Sequence, residues 1–258
     1  MDKYTLGSVR RTKIVATLGP ATEDPVAIES LIHAGADVLR FNFSHDAAEE
    51  QRERVKQVRA IASKLNRYVG IMGDLQGPKI RIESFKEGSA YLKQGQTFVL
   101  DTDLGPDDGN ERSVGVAYDD LKNDVSSGDI LLLDDGQIVL DVASVEGNQI
   151  ICQVKEGGLL ANHKGLNKKG GGLSAPALTD KDRKDIEVAA ELGMDYVAVS
   201  FARNAEDIRE ARKLLHLSGG QGHIVAKIER AEAVENIAEI IDVSDVIMVA
   251  RGDLAVEV

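Results

Sequence analysis

Six short apolar runs are separated by helix-length amphipathic stretches, and this alternation is broken once by a long segment with no helical period. Lys13 to Leu18 is a β-branched run stopped by Gly19-Pro20. Asp24 then reads as a helix N-cap with Pro25 at the first helical position. Ile28, Leu31 and Ile32 form one helical face that ends at Gly35. Val38 to Ser44 is a second strand, Val55, Val58, Ile61, Ala62 and Leu65 stripe a longer helix, and Val69 to Leu75 is a third strand.

From Ile82 to about Ser174 short strands alternate with Gly, Asp and Asn turns. Ile130–Leu133, Asp135-Gly136 and Ile138–Leu140 read as a hairpin. Gly165 to Gly172 is rich in Gly and Lys and is expected to be mobile. The helix–strand alternation resumes at Thr179, which forms a capping box with Asp182. Strands follow at Tyr196–Phe201, His223–Ile228 and Val246–Ala250. Between them lie a helix capped by Asn204 and one carrying Val234, Ile237, Ala238 and Ile241. Gly35-Ala36-Asp37-Val38 and Gly193-Met194-Asp195-Tyr196 are a weak internal repeat at helix-to-strand joins, and Asp245-Val246 repeats its second half.

Strands alternating with helices imply a parallel sheet with right-handed crossovers. The expected class is α/β, a (β/α)8 TIM-type barrel that is incomplete at about six strands and carries an inserted all-β domain. A doubly wound sheet fits the same alternation. The expected organisation is a first barrel part over 1–81, the β insertion over 82–174, and a second barrel part over 175–258.

Composition narrows the functional class. With 31 Lys and Arg against 43 Asp and Glu, the chain carries a net charge of −12, which disfavours nucleic acid and anionic membrane as partners. A single cysteine, Cys152, excludes an internal disulfide or a paired-cysteine zinc site. No apolar run is long enough to span a bilayer, and Met1 to Arg11 lacks a signal-like apolar core. A cytoplasmic enzyme is the expectation.

Charged residues placed inside apolar strands mark the candidate site. Arg40, Asn42 and Ser44 alternate with Leu39, Phe41 and Phe43, so one strand face carries a guanidinium, an amide and a hydroxyl. A solvent-facing edge strand would show the same pattern. Lys227 and Glu229 are likewise i and i+2 in an apolar strand, where an isolated charge is very costly. They either satisfy each other or serve a ligand. Ala250-Arg251-Gly252-Asp253 reads as an ordinary turn or as a close approach to a ligand with a second carboxylate. Asp74, Lys79 and Arg81 lie where the β insertion departs. In a parallel barrel all of these positions gather at the C-terminal mouth. Two carboxylates with few other oxygen ligands suit Mg²⁺, and nearby Arg and Lys suit a phosphorylated anion.

At these residues the sequence resembles the pyruvate kinases. The matching runs are Thr12–Pro20, Arg40–His45, Asp74–Arg81, Ala226–Glu229 and Val249–Leu254, in order along nearly the whole chain. The resemblance implies phosphoryl transfer from phosphoenolpyruvate to ADP, giving pyruvate and ATP. It implies Mg²⁺, with Mn²⁺ as a substitute, on Glu229 and Asp253. It assigns Lys227 and Arg40 to the transferred phosphoryl group, and the backbone at Gly252 and Asp253 to the substrate carboxylate. It assigns Asn42, Ser44, His45, Arg81 and Lys164 to the nucleotide, and it makes the β insertion a lid. An allosteric, cytoplasmic homotetramer is implied for the complete family member.

The chain departs from the family pattern in three places. Many members hold K⁺ through the positions of Asn42, Ser44 and Asp74 and a Thr where this chain has Leu75. With Leu75, Gln76 and Lys79 the chain resembles the K⁺-independent bacterial branch, and the Lys79 ammonium is expected to replace the ion's charge. Lys164-Gly165-Leu166-Asn167 is followed by Lys168-Lys169-Gly170 in place of the frequent Leu-Pro-Gly. Finally, the family's last two barrel units and C-terminal domain have no counterpart before Val258, so a truncated product is expected. Alternative readings are an inert or interaction-only remnant, and a Mg²⁺-dependent barrel lyase acting on a pyruvate-like enolate.

Overall fold

The computed structural model describes residues 10–44 and 48–258. Its first part runs Val15–Thr17 (β1), Pro25–Ala34 (α1), Val38–Asn42 (β2), Ala48–Lys64 (α2) and Gly70–Asp74 (β3). Ser89–Leu92 (β4), Thr97–Asp101 (β5), Ser113–Gly115 (β6), the helical turn Leu121–Asp124 (α3), Ile130–Leu133 (β7), Ile138–Glu146 (β8), Gln149–Glu156 (β9), Gly158–Ala161 (β10) and Leu166–Lys168 (β11) follow. The chain then runs through Asp180–Glu191 (α4), Tyr196–Val199 (β12), Ala205–Leu217 (α5), His223–Ile228 (β13), Ala231–Glu235 (α6), Ile237–Val243 (α7), Val246–Val249 (β14) and Arg251–Glu257 (α8).

The helix starts are set by side chains that hold otherwise orphaned backbone donors. Asp24 accepts from the Val26 N–H, Asn204 accepts from Glu206 and Asp207, and Thr179 and Asp182 form the reciprocal box. Gly35 closes α1 at a φ of 102°, a conformation that a Cβ would strain.

The first sheet is parallel with strand order β1-β2-β3-β12-β13-β14. Sequence order and spatial order agree, and β3 pairs with β12 across the whole β insertion. A doubly wound sheet reverses its order at a switch point. This one does not, which leaves the arc of a barrel. Among the described residues β1 and β14 each pair on one side only, so the barrel is incomplete.

The three-fold repeat has a structural cause. Asp37, Asp195 and Asp245 each precede a strand, and each accepts a hydrogen bond from a backbone N–H of the neighbouring strand or its lead-in. Asp37 accepts from Ile14 at 2.6 Å, Asp195 from Ile71 at 2.7 Å and Asp245 from Ile224 at 2.7 Å. An arginine backs each one: Arg10, Arg59 and Arg212. The repeat therefore pins the start of one strand to the start of the next.

Alternation across the strands separates two surfaces. Leu39, Phe41, Ile71, Val197, Val199, Ile224 and Ala226 face the helices in the main core. Met72, Ala198 and Val225 form a small separate cluster on the other, concave face. The β segment has its own core in a six-stranded sheet of order β11-β7-β8-β9-β5-β6, beside the two-stranded pair β10-β4. The expected hairpin is present as antiparallel β7 and β8.

Two expectations need correction. Gly165–Gly172 is not a loose stretch: Leu166–Lys168 pairs with β7, and the Gly170 N–H donates to the Glu257 carbonyl at 2.9 Å. The helix expected through Val234 and Ile241 is broken at Asn236, whose side chain donates to the Arg203 carbonyl at 3.0 Å. Ala233 and Ile240 are buried, whereas Val234 and Ile241 are exposed.

Candidate active site at the strand C-terminal ends

The concave face turns polar as its strands end. Asn42 lies opposite Asp74 in the β2–β3 register, and Arg40 lies one pleat earlier on the same face as Asn42. Ser200 follows β12, Lys227 is near the end of β13, and Glu229 lies two residues further on. Apolar residues hold the opposite face against the helices, so the fold fixes these polar groups by period alone.

Arg40, Asp74, Lys227, Glu229 and Ser200 form one connected cluster. The Arg40 Nε donates to Asp74 Oδ2 at 2.6 Å, and its Nη1 donates to Thr17 Oγ1 at 2.9 Å. Lys227 Nζ lies 3.1 Å from Asp74 Oδ1 and 3.0 Å from Glu229 Oε1. It also donates to Ser200 Oγ at 2.7 Å, and that hydroxyl donates to the Leu75 carbonyl at 2.7 Å. Two cations and two carboxylates thus neutralise each other, as buried charges must. Asp74 and Glu229 are almost completely buried.

The electrostatics follow from this packing. Burial alone would lower the Lys227 pKa, but the Asp74 and Glu229 carboxylates outweigh it and hold the ammonium above its usual range. Burial pushes the Glu229 carboxyl up, Lys227 and the Phe201 N–H pull it back, and the charge of Asp253 pushes it up again. The Phe201 N–H donates to Glu229 Oε2 at 2.9 Å from a residue with a φ of 56°. Such a left-handed bulky residue stores about 1–3 kcal/mol of strain and is characteristic of sites where geometry is over-determined.

Lys79 pairs with a residue in the first turn of α8. Its Nζ lies 3.0 Å from Asp253 Oδ1. Both Asp74 oxygens are occupied by Arg40 and Lys227, and the Asn42 Oδ1 accepts from the Ser44 N–H at 3.0 Å. Arg81 and Lys164 are turned towards the β segment, where Arg81 donates to the His163 carbonyl at 2.8 Å and Lys164 pairs with Asp134 at 2.7 Å. His45 lies outside the described residues. Gly252 has open space where a Cβ would stand.

Sequence reasoning missed Ser200 and Asp182. Ser200 shares the face of Ala198, and the i+2 logic used for Lys227 and Glu229 applies to it equally. Asp182 carries more than a capping box, because its Oδ1 also accepts from the Gly77 N–H at 3.0 Å. No local pattern announces that contact. Gly77 has a φ of 67°, and a Cβ there would meet Phe201 at 2.8 Å.

The Glu229 and Asp253 carboxylates are hard-oxygen donors of the kind that suit Mg²⁺. No group of three or more metal-ligating side chains occurs among the described residues, so the remaining ligands would be water and substrate oxygens. A cavity of about 420 Å³ adjoins Asp253, between Lys79, Asp135, Arg251 and Gly252. A larger one of about 800 Å³, lined by Arg59, Arg67 and His223 among others, opens at the opposite ends of the strands, away from this cluster.

The family model described as "Pyruvate kinase, barrel domain" matches residues 9–258. The "Pyruvate kinase II" of Salmonella typhimurium is 54% identical over 253 residues, covering 97% of this chain and 53% of that protein. A pyruvate kinase of Haemophilus influenzae is 51% identical over 97% of this chain and 53% of its own length. One from Corynebacterium efficiens is 44% identical over 96% of this chain and 52% of its own length. The chain spans about half the length of the curated relatives it matches.

Proposed function

The chain belongs to the pyruvate kinase family, and from that premise we propose that its barrel mouth transfers the phosphoryl group of phosphoenolpyruvate to ADP, giving pyruvate and ATP. The observation that carries the reading is the Arg40–Asp74–Lys227–Glu229 cluster, a preorganised charged array at the strand ends where barrel enzymes act. In the reaction the bond between the phosphoryl group and the enol oxygen breaks, and a bond to a terminal ADP oxygen forms. The enolate left behind takes up a proton to become pyruvate.

The residues have separable tasks. Glu229 and Asp253 would hold Mg²⁺, which when bound neutralises phosphoryl and carboxylate charge. Arg40 would orient the phosphoryl oxygens, and its donors to Asp74 and Thr17 already fix its plane. Lys227 would offset the charge that grows on the phosphoryl group and the enol oxygen. Its raised pKa supports this, since it stays charged at neutral pH. Such help is greatest in the transition state, and it needs no reorganisation from a side chain already held by three partners. The backbone at Gly252 and Asp253 would take the substrate carboxylate, and Asn42, Ser44, His45, Arg81 and Lys164 would take the nucleotide.

A lid role for the β segment is supported by its having a hydrophobic core of its own, separate from that of the barrel. Cytoplasmic location and homotetramer assembly come with the complete-family reading. No helix among the described residues is long and apolar enough to cross a membrane. The test is pyruvate release from phosphoenolpyruvate by the 258-residue chain. Release that requires both ADP and Mg²⁺, and that Arg40→Leu abolishes, supports the reading. No ADP-dependent release together with no Mg²⁺-dependent binding of phosphoenolpyruvate overturns it.

A further inference from the structure

The chain crosses between the barrel and the β segment twice, and both crossings land on α8. The outgoing crossing, Gly77 to Arg81, reaches it through Lys79, whose Nζ lies 3.0 Å from Asp253 Oδ1 in the first turn. The returning crossing reaches its last turn. There the Asn167 Nδ2 donates to Glu257 Oε1 at 3.3 Å, and the Gly170 N–H donates to the Glu257 carbonyl at 2.9 Å. The crossings are also bonded to each other, since the Leu166 N–H donates to the Ile80 carbonyl at 2.9 Å.

The two ties differ in kind. Glu257 is 3% exposed, and its second oxygen accepts from the Ala231 N–H at 3.2 Å. That end is buried and multiply bonded. The Lys79–Asp253 pair is a single contact whose side chains remain 29% and 25% exposed. A single, partly exposed ion pair contributes little to stability and is easily given up. On the barrel side the outgoing crossing is fixed at Gly77 by Asp182, so its free pivot is the short stretch just after Gly77.

We propose that Lys79 is an exchangeable tie: its ammonium holds Asp253 until a divalent cation takes that carboxylate, and the exchange releases the outgoing crossing so that the β segment moves. The inference rests on the reading of Asp253 as a metal ligand. A divalent ion on that oxygen would face the ammonium at close range, and like charges there repel. The cavity of about 420 Å³ beside Lys79 gives a hydrated ion room to enter. α8 is thereby the lever between metal and β segment, fixed at Glu257 and released at Asp253.

The test uses the full chain with Mn²⁺ as the probe, followed by loss of the free-ion electron paramagnetic resonance signal. In parallel, nitroxides are placed at the exposed positions Tyr91→Cys and Leu217→Cys, and their distance distribution is read by double electron–electron resonance with and without Mg²⁺. We expect Lys79→Met to bind Mn²⁺ on the order of tenfold more tightly, while Lys79→Arg stays near wild type. We expect Mg²⁺ to shift the label distance in the wild type. Lys79→Met should already show the shifted distribution without the ion and respond no further. Unchanged Mn²⁺ affinity in Lys79→Met, or an equal Mg²⁺ response in both proteins, overturns the tie while leaving the metal reading intact. Absent Mn²⁺ binding, or binding that Asp253→Asn leaves untouched, overturns the metal reading and the tie together.

Discussion

Lys227 lies between two buried carboxylates, and among the described residues it is the only cation paired with Glu229. Removing one partner of a buried charge group leaves the other uncompensated, which typically costs about 3–5 kcal/mol. Lys227→Met is expected to lower unfolding stability by roughly 3 kcal/mol in urea titrations at pH 7. Lys227→Met combined with Glu229→Gln should recover part of that loss, because the second change removes an orphaned charge. If the chain turns over phosphoenolpyruvate, Lys227→Met should reduce kcat far more than it raises KM. Cys152 gives a second residue-level expectation. It is fully buried, and burial, with a smaller contribution from the Asp141 charge, pushes its thiol up to about 12. A disulfide reagent at pH 8 should leave the native chain unmodified and should react with one thiol per chain in guanidinium.

At the scale of elements, the repeated aspartates register one strand start against the next. Burial alone would raise the Asp245 pKa, but the Ile224 N–H and Arg212 outweigh it and hold the carboxyl below its usual range. A carboxylate whose folded pKa is depressed adds stability above its unfolded pKa of about 3.9, and that contribution fades as pH falls through the folded value. Asp245→Asn should therefore cost about 1 kcal/mol at pH 7, a figure kept small because both partners are partly exposed. The gap between wild type and variant should narrow below pH ~4 and close in stronger acid. Chemical denaturation of both proteins across pH 3 to 7 reads this directly, and a constant gap would remove the ionic role.

At the scale of the whole molecule, the barrel arc and the β segment have separate hydrophobic cores. Among the described residues the arc has two edge strands, and the apolar side chains Val15 and Val249 are exposed there. Edge strands hold fewer ladder bonds and open locally before central ones. Hydrogen exchange followed by mass spectrometry should show β1 and β14 exchanging first. β8 and β9 should be the last to exchange, since both lie inside the second sheet with pairing partners on each side. Uniform protection across all these strands would mean that the two cores unfold as one unit.

Local chemistry along the chain sets the periodic elements and the faces they present. Asp24, Thr179 and Asn204 could be read as caps because capping is local chemistry. The polar face of β2 and the Lys227–Glu229 pair could be read because side chains alternate along a strand whatever surrounds it. The sequence also marked Asp37, Asp195 and Asp245 as a repeat, without saying what they bind. The tertiary structure decided what depends on distant neighbours. Sequential strand order separated the barrel from the doubly wound alternative. Asn236, held by a carbonyl of the preceding strand–helix loop, broke a helix whose apolar period looked continuous. Ser200 joined the cluster, and Lys79 found its partner in Asp253. No local pattern could have placed that ammonium, because its partner lies 174 residues away, and the two meet only where both barrel halves and the crossing to the β segment converge.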